Sequence, residues 1–474
     1  MIRPSIQNTQ ENSTNNLLDK REMGQWSRPI VQWGTIGTHI VPFFIGNAGG
    51  SRYLMYYIKC GKFFDGAHEE LLEHVAILVS GSQIIEVGTE IECPQKAEII
   101  DLSDYTVTPG LIDNHVHFDL VGPDALSTYV FTDSDEMKTL NTVYCAQKAL
   151  QNGFTTVRVV GSAFSGFGQI DAKRAIDKGM FPASRLVVSP HALDISGGHW
   201  DFSTFAVTNP MLSEFLQKTC VATGDGVDFC RRIVRKYVKY GADFVKIMAT
   251  GGFASPIDTP DEQAFSDEEL KTVIDTARMF HRPVVAHAYA SELVSKLIDL
   301  GITEIEHAAL MDEKTAEKLV ASGVILTPTF VPFEEIVQND IENLEKKNKP
   351  YKEKLEKFGA QLIQTRKIIV DIIKKRRMLI GYGSDIVSAY NNWESWREFK
   401  SWRDNGISAL RTLVAATGDN AKIIGREEIG VLEKGKIADI VAWNTDILED
   451  HEAIRECSFV MKEGTIYKDR RRLL

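Results

Sequence analysis

The apolar positions of the chain follow two different rhythms, and the change between them falls near residue 105. Before that point, from about residue 38, short apolar runs alternate with Gly, Asp and Pro, as in 53–60 and 75–80. Runs of this length between turn-forming residues are typical of strands. Similar runs return after residue 425, so we predict one composite β domain formed by residues 38–104 and 426–474.

From residue 105 to 425 the pattern becomes a repeated strand, loop and helix. The candidate strands are short, continuous apolar runs, as expected for strands buried on both faces. They lie at 107–113, 155–160, 185–189, 243–248, 283–287, 304–307, 324–328 and 378–385. One intervening helical stretch, 266–278, opens with Ser266 and an acidic first turn, as a capped helix does. The alternation predicts an α/β fold, a (β/α)8 TIM-like barrel.

Two segments fit neither rhythm. Residues 335–377 form a long charged insertion, for which a solvated helical pair and a lid over an active site are both open interpretations. Residues 1–37 begin with a polar stretch rich in Asn, Gln and Ser, and we expect an N-terminal arm there.

Composition and charge narrow the classes of function. Lys and Arg number 54 against 65 Asp and Glu, and the net charge of −11 gives no support to nucleic-acid binding. The six cysteines contain no C-x-x-C pair, so we expect reduced thiols. Neither a secretory signal nor a run of about 18 apolar residues is visible. We therefore expect a cytoplasmic protein without a membrane partner.

The first candidates for chemistry are His115 and His117 in D-N-H-V-H-F. Residues i and i+2 of a strand lie on one face, so both imidazoles can reach one metal ion. Two buried core histidines would produce the same pattern, and the spacing alone does not separate these readings.

Lys246 lies within the apolar run D-F-V-K-I-M, where burial opposes a bare ammonium group. Four outcomes are compatible with this position: the side chain reaches water, pairs with a carboxylate, acts as an amine nucleophile, or reacts with CO2. The last outcome converts the amine into a carbamate, an anionic oxygen ligand that can bridge two divalent ions.

Three more candidates, His287, His307 and Asp385, each close a short apolar run that we predict as a strand. Barrel enzymes carry their catalytic groups at the C-terminal ends of strands. Together with the residues above, they give six metal-competent side chains on five predicted strands, a set that packing does not explain.

Several motifs resemble the amidohydrolase superfamily. T-P-G-L-I-D-N-H-V-H-F, at 108–118, resembles its opening signature, and 417–443 resembles its end-of-barrel motif and return to the β domain. V-K-I-M-A-T-G-G, with H-A-Y and E-H-A, resembles the binuclear branch of prolidase-like and Xaa-Arg dipeptidases, N-acyl-amino-acid hydrolases and ochratoxinase. The resemblance covers about residues 55–470. It departs from the family at Val159 and Val160, where relatives commonly carry an Asp after T-T-V-R.

The resemblance implies a role for each candidate. The ligands of two divalent ions, expected to be Zn, are His115 and His117 for the first, His287 and His307 for the second, the carbamylated Lys246 as a bridge, and Asp385 as a first-ion ligand and proton shuttle. His199, in S-G-G-H-W, would polarise the scissile carbonyl, and Tyr289 would contact a substrate carboxylate. A surface histidine and a packing tyrosine are the plain alternatives for these two.

These expectations describe a metal-dependent amidohydrolase whose metal-bridging hydroxide cleaves an amide to an amino acid with a free carboxylate. Dipeptides, N-acyl amino acids and ochratoxin-like amides all fit this description. One alternative is a deaminase or a cyclic amide (imidazolone) hydrolase, whose mononuclear site needs no bridging Lys246. A metal-free scaffold is the other, and retention of all the ligand types argues against it. We expect a small-molecule substrate and a homo-oligomer.

Overall fold

The computed structural model describes residues 30–36, 39–45, 54–121, 132–162, 166–219, 221–336, 349–387 and 390–471. The chain divides into two compact units, Met1–Arg52 and Tyr53–Leu474. In the first unit, β1 (Ile30–Ile36) pairs antiparallel with β2 (His39–Ile45). This hairpin lies across the predicted boundary between the arm and the β domain at residue 37. Residues 1–29 of the predicted arm lie outside the described residues.

The second unit begins with the strands of a mixed sheet. They are β3 (Met55–Phe63), β4 (Leu72–Glu73), β5 (Ala76–Ser80), β6 (Gln83–Gly88) and β7 (Glu98–Pro109). Alternation places Ile58 and Cys60 of β3 in the interior of this sheet, and Ile77 and Val79 of β5 belong to the same core.

The barrel follows directly and consists of parallel strands in sequential order. They are β8 (Leu111–Val116), β9 (Phe154–Ser162), β10 (Arg185–Leu193), β11 (Val245–Met248), β12 (Val284–Ala290), β13 (Glu304–Leu310) and β14 (Ile325–Thr327). The predicted TIM-like barrel is therefore confirmed, and nearly every residue of these strands is buried, which explains their continuous apolar character.

The chain returns to the mixed sheet through β15 (Ile440–Trp443), β16 (Phe459–Lys462) and β17 (Thr465–Asp469). The strand order is β17-β16-β15-β7-β3-β5-β6, with β4 paired to β3, and β15 pairs antiparallel with β7. Strands from both ends of the second unit thus share one sheet.

Helices alternate with the barrel strands, and several begin at capping side chains. The predicted helix at 266–278 begins with a capping box, in which Ser266 accepts from the Glu269 N–H and Glu269 accepts from the Ser266 N–H. The α-helices are α1 (Asp135–Gln151), α2 (Gly168–Asp177), α3 (Pro210–Thr219), α4 (Val227–Tyr240), α5 (Asp267–Met279), α6 (Ser291–Leu300), α7 (Glu313–Ser322), α8 (Phe330–Glu335), α9 (Lys349–Lys374), α10 (Trp396–Asp404), α11 (Ala409–Val414) and α12 (Asn420–Ile423). Short 3-10 helices lie at Phe202–Ala206 and Ala453–Glu456.

The first predicted barrel strand, 107–113, joins two strands that the structure keeps apart. β7 ends at Pro109 in the mixed sheet and β8 begins at Leu111 in the barrel. Between them, a Cβ on Gly110 would lie 2.2 Å from the Thr155 hydroxyl oxygen. A residue without a side chain therefore lets the chain pass from one sheet to the other against β9.

The eighth predicted strand, 378–385, closes the barrel without forming a regular strand. Ile380 makes a parallel bridge to Leu326 of β14, and the Asn114 N–H donates to the Tyr382 carbonyl at 2.9 Å. Side chains take the remaining backbone groups here. The Asn420 side-chain oxygen accepts from the Tyr382 N–H at 3.0 Å. This side chain thus binds a backbone group that would pair with a neighbouring strand in a regular sheet.

α9 exposes one face to solvent, as a solvated helix does, and buries the other. Leu355, Phe358 and Leu362 pack in one cluster with Phe253 and Tyr289. The buried face could not be recognised in the sequence because charged residues lie between its apolar positions. The segment 337–348, which would hold any second helix, lies outside the described residues. No helix in the described part of the chain is long and apolar enough to span a bilayer.

We expect Asn420→Ala to lower the free energy of unfolding by about 3–5 kcal/mol, because four buried hydrogen bonds are worth about 1 kcal/mol each. Asn420 accepts from the Tyr382 N–H and the Asn114 side-chain amide, and it donates to the carbonyls of Ile112 and Tyr382. The measurement is denaturant unfolding beside Asn444→Ala, which removes a single hydrogen bond to Ser458. Equal losses in both variants would contradict this role.

Candidate active site

The barrel brings the predicted ligand residues together at the C-terminal ends of its strands. Asp385 lies at the centre of this cluster. One of its carboxylate oxygens is 3.2 Å from His115 Nε2 and 3.5 Å from His117 Nε2, and the other is 3.8 Å from His307 Nδ1. The imidazole of His287 lies 4.7 Å from that of His307, measured between ring centroids. Residues separated by 270 positions in sequence thus share one buried cluster.

Two of the histidines are hydrogen-bonded through Nδ1, His117 to the Gly161 carbonyl at 3.1 Å and His307 to the Thr329 hydroxyl at 2.7 Å. His115 Nδ1 lies 2.9 Å from Glu306 Oε1 without the geometry of a hydrogen bond. A partner on one ring nitrogen sets the orientation of an imidazole and leaves the other nitrogen for a metal ion.

The histidines also have the protonation state that a metal ligand needs. Burial, reinforced by the positive charge of Lys246, holds the pKa of His115 well below its usual value. Burial likewise lowers the pKa of His287 and His307 well below the usual range. These rings are therefore neutral at physiological pH. In addition, His287 Nε2 is buried without a hydrogen-bond partner among the described residues, and a metal ion would satisfy it.

Lys246 is fully buried on β11 and contacts the carboxylate of Glu306. Of the four outcomes that the sequence left open, the structure contains the ion pair with a carboxylate. Burial lowers the pKa of the Lys246 amine below the usual lysine value. The amine therefore loses its proton more readily than an exposed lysine does.

Sequence reasoning missed Glu306, which touches both Lys246 and His115, and the pair formed by Arg158 and Glu304 below it. Both terminal nitrogens of Arg158 lie 2.6 Å from the Glu304 carboxylate, and one is also 3.4 Å from Glu306. A signal was present, since E-I-E-H places two carboxylates in a buried strand where each needs a partner. The cation that both carboxylates contact is Arg158, the last residue of T-T-V-R.

His199 is held against His287 by residues that the sequence analysis also missed. Its ring stacks on His287 at 5.0 Å, and its Nδ1 lies 3.2 Å from Asp258. Burial opposes ionisation of Asp258, but hydrogen bonds and the nearby His199 and Lys354 lower its pKa overall. Lys354, on α9, donates at 2.6 Å to the carbonyls of Gly252 and Ser255. The insertion thus reaches the loop around His199.

Tyr289 lies beside the cluster on β12. Its ring centroid is 4.5 Å from that of His287 and 5.4 Å from that of His307. It also packs against Phe253 and Phe333, so the packing and substrate interpretations are compatible.

Four of the eight described residues other than glycine with a positive φ lie at this cluster. Positive φ angles occur at His307 (70°), Ala308 (48°), Thr329 (48°) and Asp385 (46°). Each costs about 1–3 kcal/mol for a residue other than glycine, and such strain is typical of functional sites. Val159, where the resemblance departs from its relatives, is instead fully buried in the main barrel core.

A TIM-like barrel with imidazole and carboxylate groups gathered at its strand ends has the architecture of a metal-binding barrel hydrolase. His115, His307 and Asp385 have ligand atoms within 4.8 Å of one another, close enough to hold one ion. Residues 106–468 match the family model for the amidohydrolase family. The chain therefore belongs to the amidohydrolase family, whose members generally bind metal ions.

Individual relatives agree with this assignment. Ochratoxinase of Aspergillus niger is 28% identical over 425 residues, which cover 84% of each chain. Its crystal structure has a TM-score of 0.75 at 26% identity, covering 88% of this chain and 97% of that chain. A Xaa-Pro dipeptidase with bound methionine in its active site has a TM-score of 0.76 at 27% identity, covering 87% and 100% respectively. The chain is thus a hydrolytic enzyme acting on C–N bonds.

For the protein without metal and with unmodified Lys246, we expect Glu306→Gln to lower the free energy of unfolding by about 3–5 kcal/mol, because it leaves the buried ammonium of Lys246 without its partner. Denaturant unfolding measures this effect. Glu86→Gln, at an exposed position of β6, is the matched control and should change stability little. If both variants unfold alike, Glu306 is not the counter-charge of Lys246.

Proposed function

We propose that the protein hydrolyses an amide bond between an acyl group and an amino acid with a free carboxylate. One observation carries this proposal: three histidines from two strand ends of the barrel converge on Asp385, beside a buried lysine. Dipeptides, N-acyl amino acids and ochratoxin-like amides belong to this substrate class.

The donor set suits two divalent ions. His115, His117 and Asp385 would hold one ion, and His287 with His307 the other. Imidazole and carboxylate ligands accept Zn, Mn, Co or Fe, and we favour Zn. When bound, such ions polarise a carbonyl group and lower the pKa of a water molecule.

Lys246 would supply the shared ligand as a carbamate. The neutral Nζ adds through its lone pair to the carbon of CO2, and one N–H proton leaves. Glu306 contacts this nitrogen and is placed to accept that proton. Glu306 would be neutral once it holds this proton and would not repel the carbamate, and it would keep its contacts with Arg158 and His115.

Asp385 would move the proton of the reaction. Burial raises its pKa to about 6, against the opposing attraction of His117 and Lys246. A carboxylate with a pKa near neutrality accepts a proton from the attacking water and delivers it to the leaving nitrogen. An amide nitrogen needs this proton because a free amine anion is a poor leaving group.

The substrate would be oriented by His199 and Tyr289. Asp258 holds Nδ1 of His199, so the opposite nitrogen would be free to contact the carbonyl of the scissile amide. The hydroxyl of Tyr289 would donate to the free carboxylate. A mononuclear deaminase or imidazolone hydrolase would require neither the lysine ligand nor the carboxylate contact.

We expect the wild-type protein to contain two ions per chain and Lys246→Ala to lose both metal and activity. Lys246→Glu should keep part of the metal, because a carboxylate can replace the carbamate. Elemental analysis and turnover assays measure both properties. Lys462→Ala removes another buried lysine, on β16, and controls for loss of a buried cation. Normal turnover of Lys246→Ala would refute the binuclear proposal.

We expect Tyr289→Phe to reduce kcat/KM for N-acyl-phenylalanine by about 10- to 150-fold, the value of one hydrogen bond to a charged group. The corresponding amide, which lacks the carboxylate, should be a poor substrate for both proteins and change little. Tyr57→Phe, which loses a hydrogen bond to the Ile91 carbonyl in the mixed sheet, is the control. Equal losses on the acid and the amide would make Tyr289 a packing residue.

A further inference from the structure

A row of aromatic rings in contact with one another, two of the contacts stacked and the middle one edge-to-face, leads from the proposed metal site towards the protein surface. The Trp200 indole stacks on His117 at 5.1 Å with an interplanar angle of 29°. Phe202 follows at 5.2 Å from Trp200, and Phe205 at 6.0 Å from Phe202. Phe202 is buried, whereas Phe205 is 49% exposed. We call these three residues the aromatic row.

Hydrogen bonds hold the inner end of the aromatic row in place. The Trp200 N–H donates to Asp194 at 2.6 Å, and the indole N–H donates to the Ser162 carbonyl at 3.1 Å. Phe202 lies in a cluster with Leu120 and Leu216. The row is therefore a fixed surface, which binds an apolar group with little loss of conformational entropy.

The outer end of the row continues into an exposed apolar surface on α3. Met211 is 83% exposed and Phe215 is 61% exposed, although the neighbouring Leu216 of the same helix is buried. The apolar rim consists of Phe205, Val207, Met211, Leu212, Phe215 and Val221. A shallow recess lined by Trp200, Phe202 and Val221 adjoins this rim. Contiguous exposed apolar surface of this kind marks a binding site.

The position of the row relative to Tyr289 indicates which part of the substrate it contacts. His117 directly follows β8, whereas Tyr289 lies on β12, four strands further in the order of the barrel. In a barrel closed by an eighth segment, these two strands lie on opposite sides. An amide held between them therefore directs its amino-acid carboxylate towards Tyr289 and its acyl group towards Trp200.

We propose that the aromatic row and the apolar rim bind the acyl group, and that the preferred substrates are amino acids N-acylated with a long hydrocarbon chain. This inference rests on the proposed function. Continuity selects the acyl chain as the occupant, because the apolar surface begins at a ligand of the proposed metal site. Every methylene placed on it leaves water, and this favours long chains over acetyl or polar acyl groups.

The test is a chain-length series of N-acetyl-, N-octanoyl- and N-dodecanoyl-phenylalanine, below their micelle concentrations. We expect kcat/KM to rise about twofold or more with each methylene that contacts the surface, mainly through KM. In the double variant Phe205→Ser, Phe215→Ser, the ratio of kcat/KM for octanoyl to acetyl substrate should fall about tenfold. Met279→Ser, which alters another exposed apolar residue, on α5, should leave the ratio unchanged. Calorimetric binding of octanoate against acetate gives the same comparison without turnover.

The outcomes separate this proposal from the proposed function. If the wild-type protein cleaves a dipeptide but none of the series, the proposed function stands and this inference fails; if it cleaves neither, both fail. If it cleaves all three with equal kcat/KM, the function stands and the acyl site is overturned. An unchanged ratio in the double variant also overturns it, and an accompanying change in sedimentation would assign the apolar rim to a second copy of the chain.

Discussion

The ion pair between Arg158 and Glu304 is the interaction on which the site depends. It lies inside the barrel, beneath the histidines, and joins β9 to β13 through two short hydrogen bonds. Arg158 also donates to the Asn114 carbonyl on β8 and approaches Glu306. Removing such charges from water is costly, so the pair is tolerated only with complete partners. Glu306, which Arg158 contacts, lies against His115. The position of this candidate metal ligand therefore depends on charged side chains deeper in the barrel.

Much of the fold could be predicted from the sequence because burial on both faces gives barrel strands an uninterrupted apolar signature. The exceptions have local causes. Gly110 separates two strands that share one apolar run, and no periodicity marks that change of sheet. The segment 378–385 has the composition of a strand, but it keeps only a few backbone bonds to its neighbours, and the side chain of Asn420 binds the N–H and the carbonyl of Tyr382. Because Asn420 lies 38 positions from Tyr382, the local sequence pattern around Tyr382 does not predict this hydrogen bond.

The candidate site was predictable where residue type and strand position coincide, as for His115 and Asp385. It was not predictable where a side chain acts through a partner across the barrel. Glu306 and Asp258 are ordinary acidic residues until the fold places them against Lys246 and His199. The charged character of the insertion likewise concealed its buried face, because helix periodicity shows which residues can share a side, and not what that side will meet.

Lys354 fixes helix α9 of the insertion against a loop of the barrel. Its buried ammonium is held by two carbonyl oxygens of the Gly252–Ser255 loop and lies 3.7 Å from Asp258. Moving α9 away from the barrel would leave the Lys354 ammonium without its hydrogen-bond partners. We therefore expect this helix to stay in place and not to open as a lid. Substrate would then enter, and product would leave, on the side of the barrel that α9 does not cover. Substitutions should therefore be costly at Lys354 and on the buried face of α9, and of little consequence at its solvent-facing positions.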